Sequence, residues 1–466
     1  MKEIVVAGGG LVGSLVAIMM KRRGYEVTLL EKRPDIRQES PQAREGGRSI
    51  NLVVTSRGLN ALEKAGLLQD VLPMTVPVTG RMIHPKIGAP SYQPYGRDAS
   101  ECNYSVSRGD LNRFLLEACE RHGIRILFEA TVDSSTDLRE KKVKFSLPGG
   151  PATLDYDILL GTDGAGSVLR TSMKDVLGFS YHDETEFLSS DYKELFMPAL
   201  ADGRSPLQKN VLHIWPRRTH MQMALPNSDG SFTMTIYLPS RGAGLSFEAL
   251  KTEQQVQSFL RDEFPDAYDL MPNAVHDFIS HPQGKLGTVR SAPWIYQDSL
   301  ALLGDAAHAI VPFFGQGMNL GFEDCVYLDK YLAEFQDDWA LALTEYDRSQ
   351  RPNANAIADM ALENFVEMRD KVGDARFLLM KKIEARIENE MPDIYRSRYG
   401  MITYTLIPYA VAREAGQIQE RLLHRLCDGL EPENDLNMGL AKRLVEQELL
   451  PYLKMNNISV ERYRMH

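Results

Sequence analysis

Cysteine is scarce: Cys102, Cys119, Cys325 and Cys427 are four in 466 residues, and no two form a CxxC pair. That scatter argues against a disulfide framework or a zinc site and suits a reducing compartment. Long apolar runs are missing as well. No window of about 18 uncharged apolar residues occurs, so no membrane span is expected. The nearest candidate, GMITYTLIPYAVA (400–412), is too short and too polar. A basic excess is also lacking: 53 Lys and Arg stand against 63 Asp and Glu, a net charge of −10. With no basic run to override it, that balance argues against nucleic-acid binding, which needs a cationic face. MKEIVVAGGG ends in glycines where a signal peptide would carry an apolar core and a cleavage site, so it reads as a strand. No internal repeat or low-complexity stretch is evident. NYS (103–105) and NIS (457–459) match a glycosylation pattern, which carries no meaning in a chain read as cytoplasmic.

What is present is an ordinary globular composition, 43% apolar and 25% charged, long enough for two or three domains. KEIVVA (2–7) reads as a strand, GGGLVG as a turn, SLVAIMMKRRG as a helix ending at Gly24, and YEVTLLEKR as a second strand. This is the βαβ unit of a parallel sheet. Residues 57–71 and 108–122 read as amphipathic helices, and YDILLGTDGAGS (156–167) as a strand entering another glycine turn. From about 181 to 285, HIWP, HMQMALP and SFTMTIYLP alternate apolar and polar residues, the pattern of antiparallel strands with one covered face. Strand signals return at 299–303, and helical patterns dominate from about 318. The expected fold is α/β: a Rossmann-like domain, an inserted antiparallel-sheet domain and a C-terminal helical region.

The turn after the first strand meets GxGxxG through Gly8, Gly10 and Gly13. The first glycine permits the tight turn, the second lets a pyrophosphate reach the backbone, and the third lets helix and strand pack closely. The helix start at Leu11 and Val12 offers free N–H groups and a positive dipole end. Glu31 closes the second strand, where an acidic residue accepts hydrogen bonds from a ribose hydroxyl, and Lys32 and Arg33 follow it. The alternative is a glycine turn that only eases helix packing, and the motif alone does not separate NAD from FAD. Two further carboxylates end strands, in Asp163-Gly164 and Gly304-Asp305. Taken singly, each could simply cap the turn that follows.

In this order the three segments resemble the flavoprotein aromatic hydroxylases, single-chain FAD monooxygenases with a p-hydroxybenzoate-hydroxylase-like fold. The resemblance implies that Asp305 hydrogen-bonds the ribityl chain of FAD. It also implies that the Asp163-Gly164 turn serves both the pyrophosphate and NADPH, and that Arg108, in SRGDLNRFL, lies against FAD. In LLGDAAHAIVPFFGQGMNLGFED (302–324), Gly315, Gly317 and Gly321 would bring backbone against the isoalloxazine ring. A helix starting near Met318 and Asn319 would then point its N-terminus at the N1–C2 edge, where reduced flavin carries negative charge. Val53 belongs to the same cofactor set. No second GxGxxG with a βαβ unit is present, which fits this class and not a two-dinucleotide reductase. The implied domains are a discontinuous FAD-binding domain (1–75, 105–180 and 286–350), a substrate domain (76–104 and 181–285) and a helical region (351–466).

Within that class, RSINLVVTSRG (48–58), GRMIH (80–84), QPYGRD (93–98), VPFFGQGMN (311–319), MALENFVEM (360–368) and RYGMIT (398–403) are similar to the kynurenine 3-monooxygenase family. That resemblance implies hydroxylation of L-kynurenine by NADPH and O2, with a hydroperoxide at flavin C4a as the transferring species. It places the substrate carboxylate on Arg81 and Tyr95, and the remaining polar contacts on Asn364 and Tyr399. A guanidinium fork with hydroxyl and amide donors suits an amino acid. The aryl ring would lie among Leu212, Met221, Met223, Leu225, Tyr237, Pro312, Phe313 and Met368, although Met and aromatic residues on strands are more often plain core. Asn364 and Met368, four apart, share a helix face. His84, His213 and His308 read as structural, and Phe314 stands where some relatives have His. Two rivals stay open: a hydroxylase of phenolic or salicylate-like acids, which would need a base–hydroxyl relay, and a non-catalytic Rossmann-type binding protein. Charges throughout LVEQELLPYLKMNNISVERYRMH (444–466) point to a soluble, cytoplasmic chain. The oligomeric state, monomer or homodimer, is left open.

Overall fold

The computed structural model describes residues 2–38, 51–242, 244–368, 375–430 and 433–465. Residues 48–50 of RSINLVVTSRG lie outside them. The chain groups into two units, one of Met1–Thr75, Val106–Leu188 and Leu286–Asn355, the other of Val76–Ser105, Ser189–Lys285 and Ala356–His466. The C-terminal helices, set apart as a third region on sequence, thus cluster with the inserted sheet.

The first unit is built on a six-stranded sheet. Its first strand, Glu3–Ala7, is buried from its second residue onward, as a central parallel strand covered on both faces must be. It lies between Ile158–Gly161 and Glu26–Leu30, parallel to both, with Ile4 opposite Ile158 and Val27. Leu300–Leu302 and Arg125–Leu127 extend the sheet in parallel, and Ile295–Tyr296 ends it as an antiparallel edge. Strand order therefore reverses at the first strand, and the crevice at the carboxyl ends there is where such sheets take nucleotides. The fingerprint helix is Leu11–Arg22. The helix expected over 57–71 is divided into Ser56–Lys64 and Leu68–Val71, because Gly66 adopts a left-handed φ of +74°. Arg108–Arg121 forms one helix, with the Ser107 hydroxyl accepting from the Asp110 N–H as its cap.

The second unit contains most of the seven-stranded sheet Gly284–Ala292, His182–Met197, Phe232–Pro239, Met221–Pro226, Leu212–Pro216, Gly80–Ile83 and Ser91–Pro94, in that order, and the chain enters the unit within the second of these strands and leaves it within the first. Register sorts its residues into two faces, since partners directly opposite share a face and neighbours along a strand do not. Arg81 pairs with Leu212, Ile214 with Met223, and Met221 with Tyr237. Arg81, Leu212, Met221, Met223, Leu225 and Tyr237 therefore share one face. The opposite face carries Trp215, Ala224, Phe232, Met234, Ile236 and Leu238, and is sealed by Val256, Phe259, Leu260, Phe264 and Phe278. These sealing residues lie on or beside the helices Glu253–Glu263, Pro265–Tyr268 and Ala274–Ser280, which the strand-only reading of 181–285 did not anticipate. The signal was available: Thr252 and Gln255 form a reciprocal capping box.

His84 and His213 also lie on the sealed face. His213 Nε2 donates to the Gln208 carbonyl at 2.9 Å, its Nδ1 meets His84 Nε2 at 2.9 Å, and His84 Nδ1 meets Asp266 Oδ2 at 3.1 Å. Both ends of this row face acceptors. Burial pushes the His213 pKa down to about 4. Burial alone would raise Asp266, but hydrogen bonds from His84 and from Trp215 Nε1 bring its carboxyl down to about 2 from an ordinary 3.8. A depressed carboxylate stabilises the fold above its unfolded pKa and loses that contribution as pH falls through the folded value. The urea midpoint of Asp266→Asn should therefore lie below wild type near about pH 5 and converge on it as pH approaches about 2. An equal gap at both ends would remove Asp266 from this role.

Candidate functional site

The first unit holds a glycine cradle. Gly8 has a φ of +109°, and a Cβ there would come within 2.4 Å of the Thr162 carbonyl oxygen. A Cβ on Gly13 would meet the Gly8 oxygen at 1.9 Å, whereas one on Gly10 would meet nothing within 4 Å. The outer two glycines are thus closed in by protein, and the middle one opens outward, as a backbone that receives a phosphate must. Gly10 is the N-cap of Leu11–Arg22 without any side-chain cap, so the helix's leading N–H groups stay available to an anion. Thr162 ties the turn to the neighbouring strand by donating to the carbonyls of Ala7 at 3.0 Å and Gly8 at 2.9 Å.

Glu31 sits at the second strand's end as expected, and its carboxylate is already engaged. Oε2 accepts from the Gly9 N–H at 2.8 Å, and Oε1 accepts from both N and Nε of Arg33 at 2.8 Å. Burial opposes this charge, but Arg33 and the backbone donors hold Glu31 below the usual carboxylate range. Glu31 therefore stiffens the fingerprint turn from below. Lys32 is exposed, and Arg33 keeps 47% of its side-chain surface.

Asp163 and Asp305 differ in what they do. Asp163 is turned inward: Oδ2 accepts from the N–H groups of Val168 at 2.8 Å and Leu169 at 3.3 Å, capping the helix Val168–Leu177. Its Oδ1 is buried without a partner among the described residues, and burial pushes its pKa up. This is the capping alternative weighed from sequence. Asp305 follows Gly304 (φ +59°), is exposed, and has no hydrogen-bond partner among the described residues. Arg108 is likewise exposed at its helix start.

The segment 302–324 is positioned by groups that the sequence reading missed. Asp324 Oδ2, fully buried, accepts from the Gly304 N–H at 2.8 Å and from His308 Nε2 at 2.6 Å, fixing the turn that presents Asp305. Burial would lower His308, but the Asp324 charge raises it overall. The helix Gly317–Glu334 starts one residue before Met318 and has no side-chain cap. Asn319 acts as a bolt. Its Oδ1 accepts from the Thr55 N–H at 2.9 Å, and its Nδ2 donates to the carbonyls of Val53 at 2.8 Å and Gly315 at 2.9 Å. Arg57 Nε lies 3.0 Å from Glu323 Oε1 in a buried pair that joins the same two helices, with burial pushing Glu323 up to about 7. Gly321 differs from expectation: a Cβ there would meet Val12 Cγ2 at 2.6 Å and Gly304 Cα at 3.2 Å, so protein packing already explains it. Gly315 has a left-handed φ of +64°, and a Cβ on Gly317 would have only Ile310 near it, at 3.8 Å. Pro312 is exposed and Phe313 buried in the short turn before this helix.

In the second unit, Arg81 is half-buried and donates from Nε to Gln93 Oε1 at 2.7 Å. It has no carboxylate partner among the described residues. Tyr95 and Tyr399 stand beside it, their rings stacked at 5.3 Å and 24°. The Tyr399 hydroxyl accepts from Asn103 Nδ2 at 3.0 Å. Burial raises the pKa of both phenols, so they remain neutral donors at neutral pH. Asn364 Nδ2 reaches Met368 Sδ at 3.5 Å along one helix turn.

An open parallel sheet with an outward-facing middle glycine, an uncapped helix start and an unpaired carboxylate defines an FAD-type dinucleotide-binding protein, and the FAD binding domain family matches residues 1–361. The kynurenine 3-monooxygenase of Myxococcus xanthus is 43% identical over 453 residues, 97% of this chain and 96% of that protein. Its counterpart in Stenotrophomonas maltophilia is 39% identical over 96% of this chain and 97% of its own length. The solved structure of Pseudomonas aeruginosa PqsL in complex with 2-aminobenzoylacetate matches with a TM-score of 0.63 at 21% identity, covering 79% of this chain and 97% of that one. The chain belongs to the kynurenine 3-monooxygenase family of FAD-binding proteins.

Asp305→Ala should weaken FAD binding about tenfold or more, the worth of hydrogen bonds to a charged group. Wild-type flavin affinity by fluorescence titration would remove Asp305 from the ribityl role. Asn319→Ala breaks three hydrogen bonds, one of them buried and two part-buried, and should cost about 3 kcal/mol of stability in urea unfolding.

Proposed function

We propose that the chain is an FAD-dependent monooxygenase that converts L-kynurenine, NADPH, O2 and a proton to 3-hydroxykynurenine, NADP+ and water. The observation that carries this reading is the uncompensated guanidinium of Arg81. It is partly buried, fixed at Nε by Gln93, and flanked by the hydroxyls of Tyr95 and Tyr399. Holding Nε leaves the two terminal amino groups for a bidentate carboxylate, and the neutral phenols supply further donors. Asn364 completes the polar set. Leu212, Met221, Met223, Leu225 and Tyr237, on the same sheet face as Arg81, offer an apolar floor for an aryl ring, and Met368 belongs to the same set.

When bound, FAD supplies electron transfer from NADPH and the activation of O2. The residues fit it: Gly8, Gly10, Gly13 and the Leu11–Val12 helix start suit its pyrophosphate, and Asp305 its ribityl hydroxyls. Glu31, with Lys32 and Arg33, borders the ribose end. Arg108, Val53, Gly315, Gly317, Met318 and Asn319 complete the cofactor set, and Asp163, with Gly164, the turn serving the pyrophosphate and NADPH.

The protein's tasks are binding, orientation and exclusion of water. The aniline nitrogen already activates the ring carbon ortho to it, so no strong base is required. Burial pushes the phenols Tyr95, Tyr237 and Tyr399 upward in pKa, so they stay neutral there, while Glu194 on the same sheet face lies opposite Thr235 and acts on Tyr237. The histidine row His84–His213 lies on the opposite, sealed face.

Turnover with kynurenine should give a product heavier by one oxygen in mass spectrometry, with NADPH consumed, whereas a panel of phenols should give none. Arg81→Ala should cost about 3 kcal/mol of substrate binding, roughly a hundredfold in KM, with bound flavin unchanged. An unaltered KM would remove Arg81 from the site.

A further inference from the structure

Beneath the Tyr95–Tyr399 stack lies a buried ionic cluster that the proposed chemistry does not use. Arg396 is fully buried and Glu101 is 4% exposed, and Arg396 Nη2 lies 2.8 Å from Glu101 Oε1. The other oxygen of Glu101, Oε2, accepts from the Arg97 N–H at 2.9 Å. Arg97 is two residues beyond Tyr95, and Gly96 between them is pressed against Glu101: a Cβ there would meet the Glu101 Cβ at 2.1 Å. Arg396 immediately precedes Ser397, whose hydroxyl caps Arg398–Tyr404, the helix that carries Tyr399. Gln419 Nε2 holds the Arg396 carbonyl at 2.6 Å, and the guanidinium lies 5.7 Å from the Tyr404 ring centroid. A second carboxyl, Glu388, approaches Arg396 Nε at 3.6 Å, and burial pushes it up to about 7. Glu101 makes the shorter contact of the two carboxyls with Arg396. One carboxylate grips the turn that follows Tyr95 and, through a single guanidinium, the helix start that precedes Tyr399.

We propose that Glu101 and Arg396 are positioning residues for substrate recognition: their ion pair fixes the separation and tilt of Tyr95 and Tyr399, and so the pocket for the substrate's amino-acid end beside Arg81. This rests on the reading of Arg81, Tyr95 and Tyr399 as the carboxylate site. The pair touches neither substrate nor flavin and acts only through the two phenols. Its loss should weaken recognition of the carboxylate while sparing the aryl ring and the cofactor.

The test compares the FAD-loaded wild-type enzyme with Glu101→Gln, Arg396→Lys and Arg81→Ala, using kynurenine and kynuramine, the same amino ketone without its carboxylate. Glu101→Gln and Arg396→Lys should raise KM for kynurenine about tenfold, the effect of one unmet buried polar contact. Flavin content, kcat and the KM for kynuramine should stay near wild type. In Glu101→Gln combined with Arg81→Ala the two effects should multiply to less than their product, because both act on one carboxylate. If both substrates lose affinity equally, the pair only stabilises the fold and the proposal fails. If Arg81→Ala itself leaves kynurenine KM unchanged, the underlying site reading fails instead. Should neither ion-pair variant yield flavin-loaded protein, Ser397→Ala, a milder release of the same helix start, must show the kynurenine-selective loss, and an unselective or absent effect would overturn the proposal.

Discussion

The nucleotide half of this protein depends on how closely two pieces of backbone approach one small side chain. Val12, at the start of the fingerprint helix, is met by the Gly304 turn and by Gly321 of the helix Gly317–Glu334. Any side chain at those glycines would hold the segments apart. Once they are in contact, Asp324 can take the Gly304 N–H and the His308 ring together, and Asn319 can reach across to Thr55 and Val53. The glycines of 302–324 thus divide their work. Gly321 serves protein packing, while Gly315 and Gly317 leave space beside the helix start.

Much of this was legible in the sequence, for physical reasons that differ from residue to residue. Gly8, Gly10 and Gly13 are readable because their spacing is fixed by the turn itself. The parallel core was readable because strands covered on both faces lose their polar alternation, as EIVVA does. The second sheet announced itself in HMQMALP and SFTMTIYLP, where one face is sealed and the other is reserved. Local pattern could not reveal partnership across the chain. Glu31 also accepts from Gly9 and Arg33, and Asp163 also caps a helix, partnerships that no local pattern displays. Arg57, Glu323, Glu101 and Arg396 went unread because a buried charge is recognised by its partner, and each partner lies far away in sequence, whereas Asp324 went unread although His308 stands in the same quoted segment. The helices at 253–280 were missed despite the Thr252–Gln255 capping box, since the surrounding strand texture dominated.

Charge is placed with the same economy in both units. The buried ionic groups Arg57–Glu323, His308–Asp324 and Arg396–Glu101 have partners, so the cost of removing them from water is offset within the fold. Arg81 and Asp305 make no salt bridge among the described residues, one cationic and one anionic. They are the groups for which an amino-acid carboxylate and a polyol chain are natural complements.

The alternation along Met221–Pro226 has a further consequence for how such a protein can diversify. Met221, Met223 and Leu225 point one way, while Ala224 points into the sealed layer. On the proposed reading of that face as the substrate floor, point substitutions at the odd-numbered positions reshape ligand preference while the foundation stays intact. A single-residue insertion or deletion in that strand would swap floor for foundation along its remaining length. Lineages of this enzyme should therefore drift in side-chain identity here while conserving strand length.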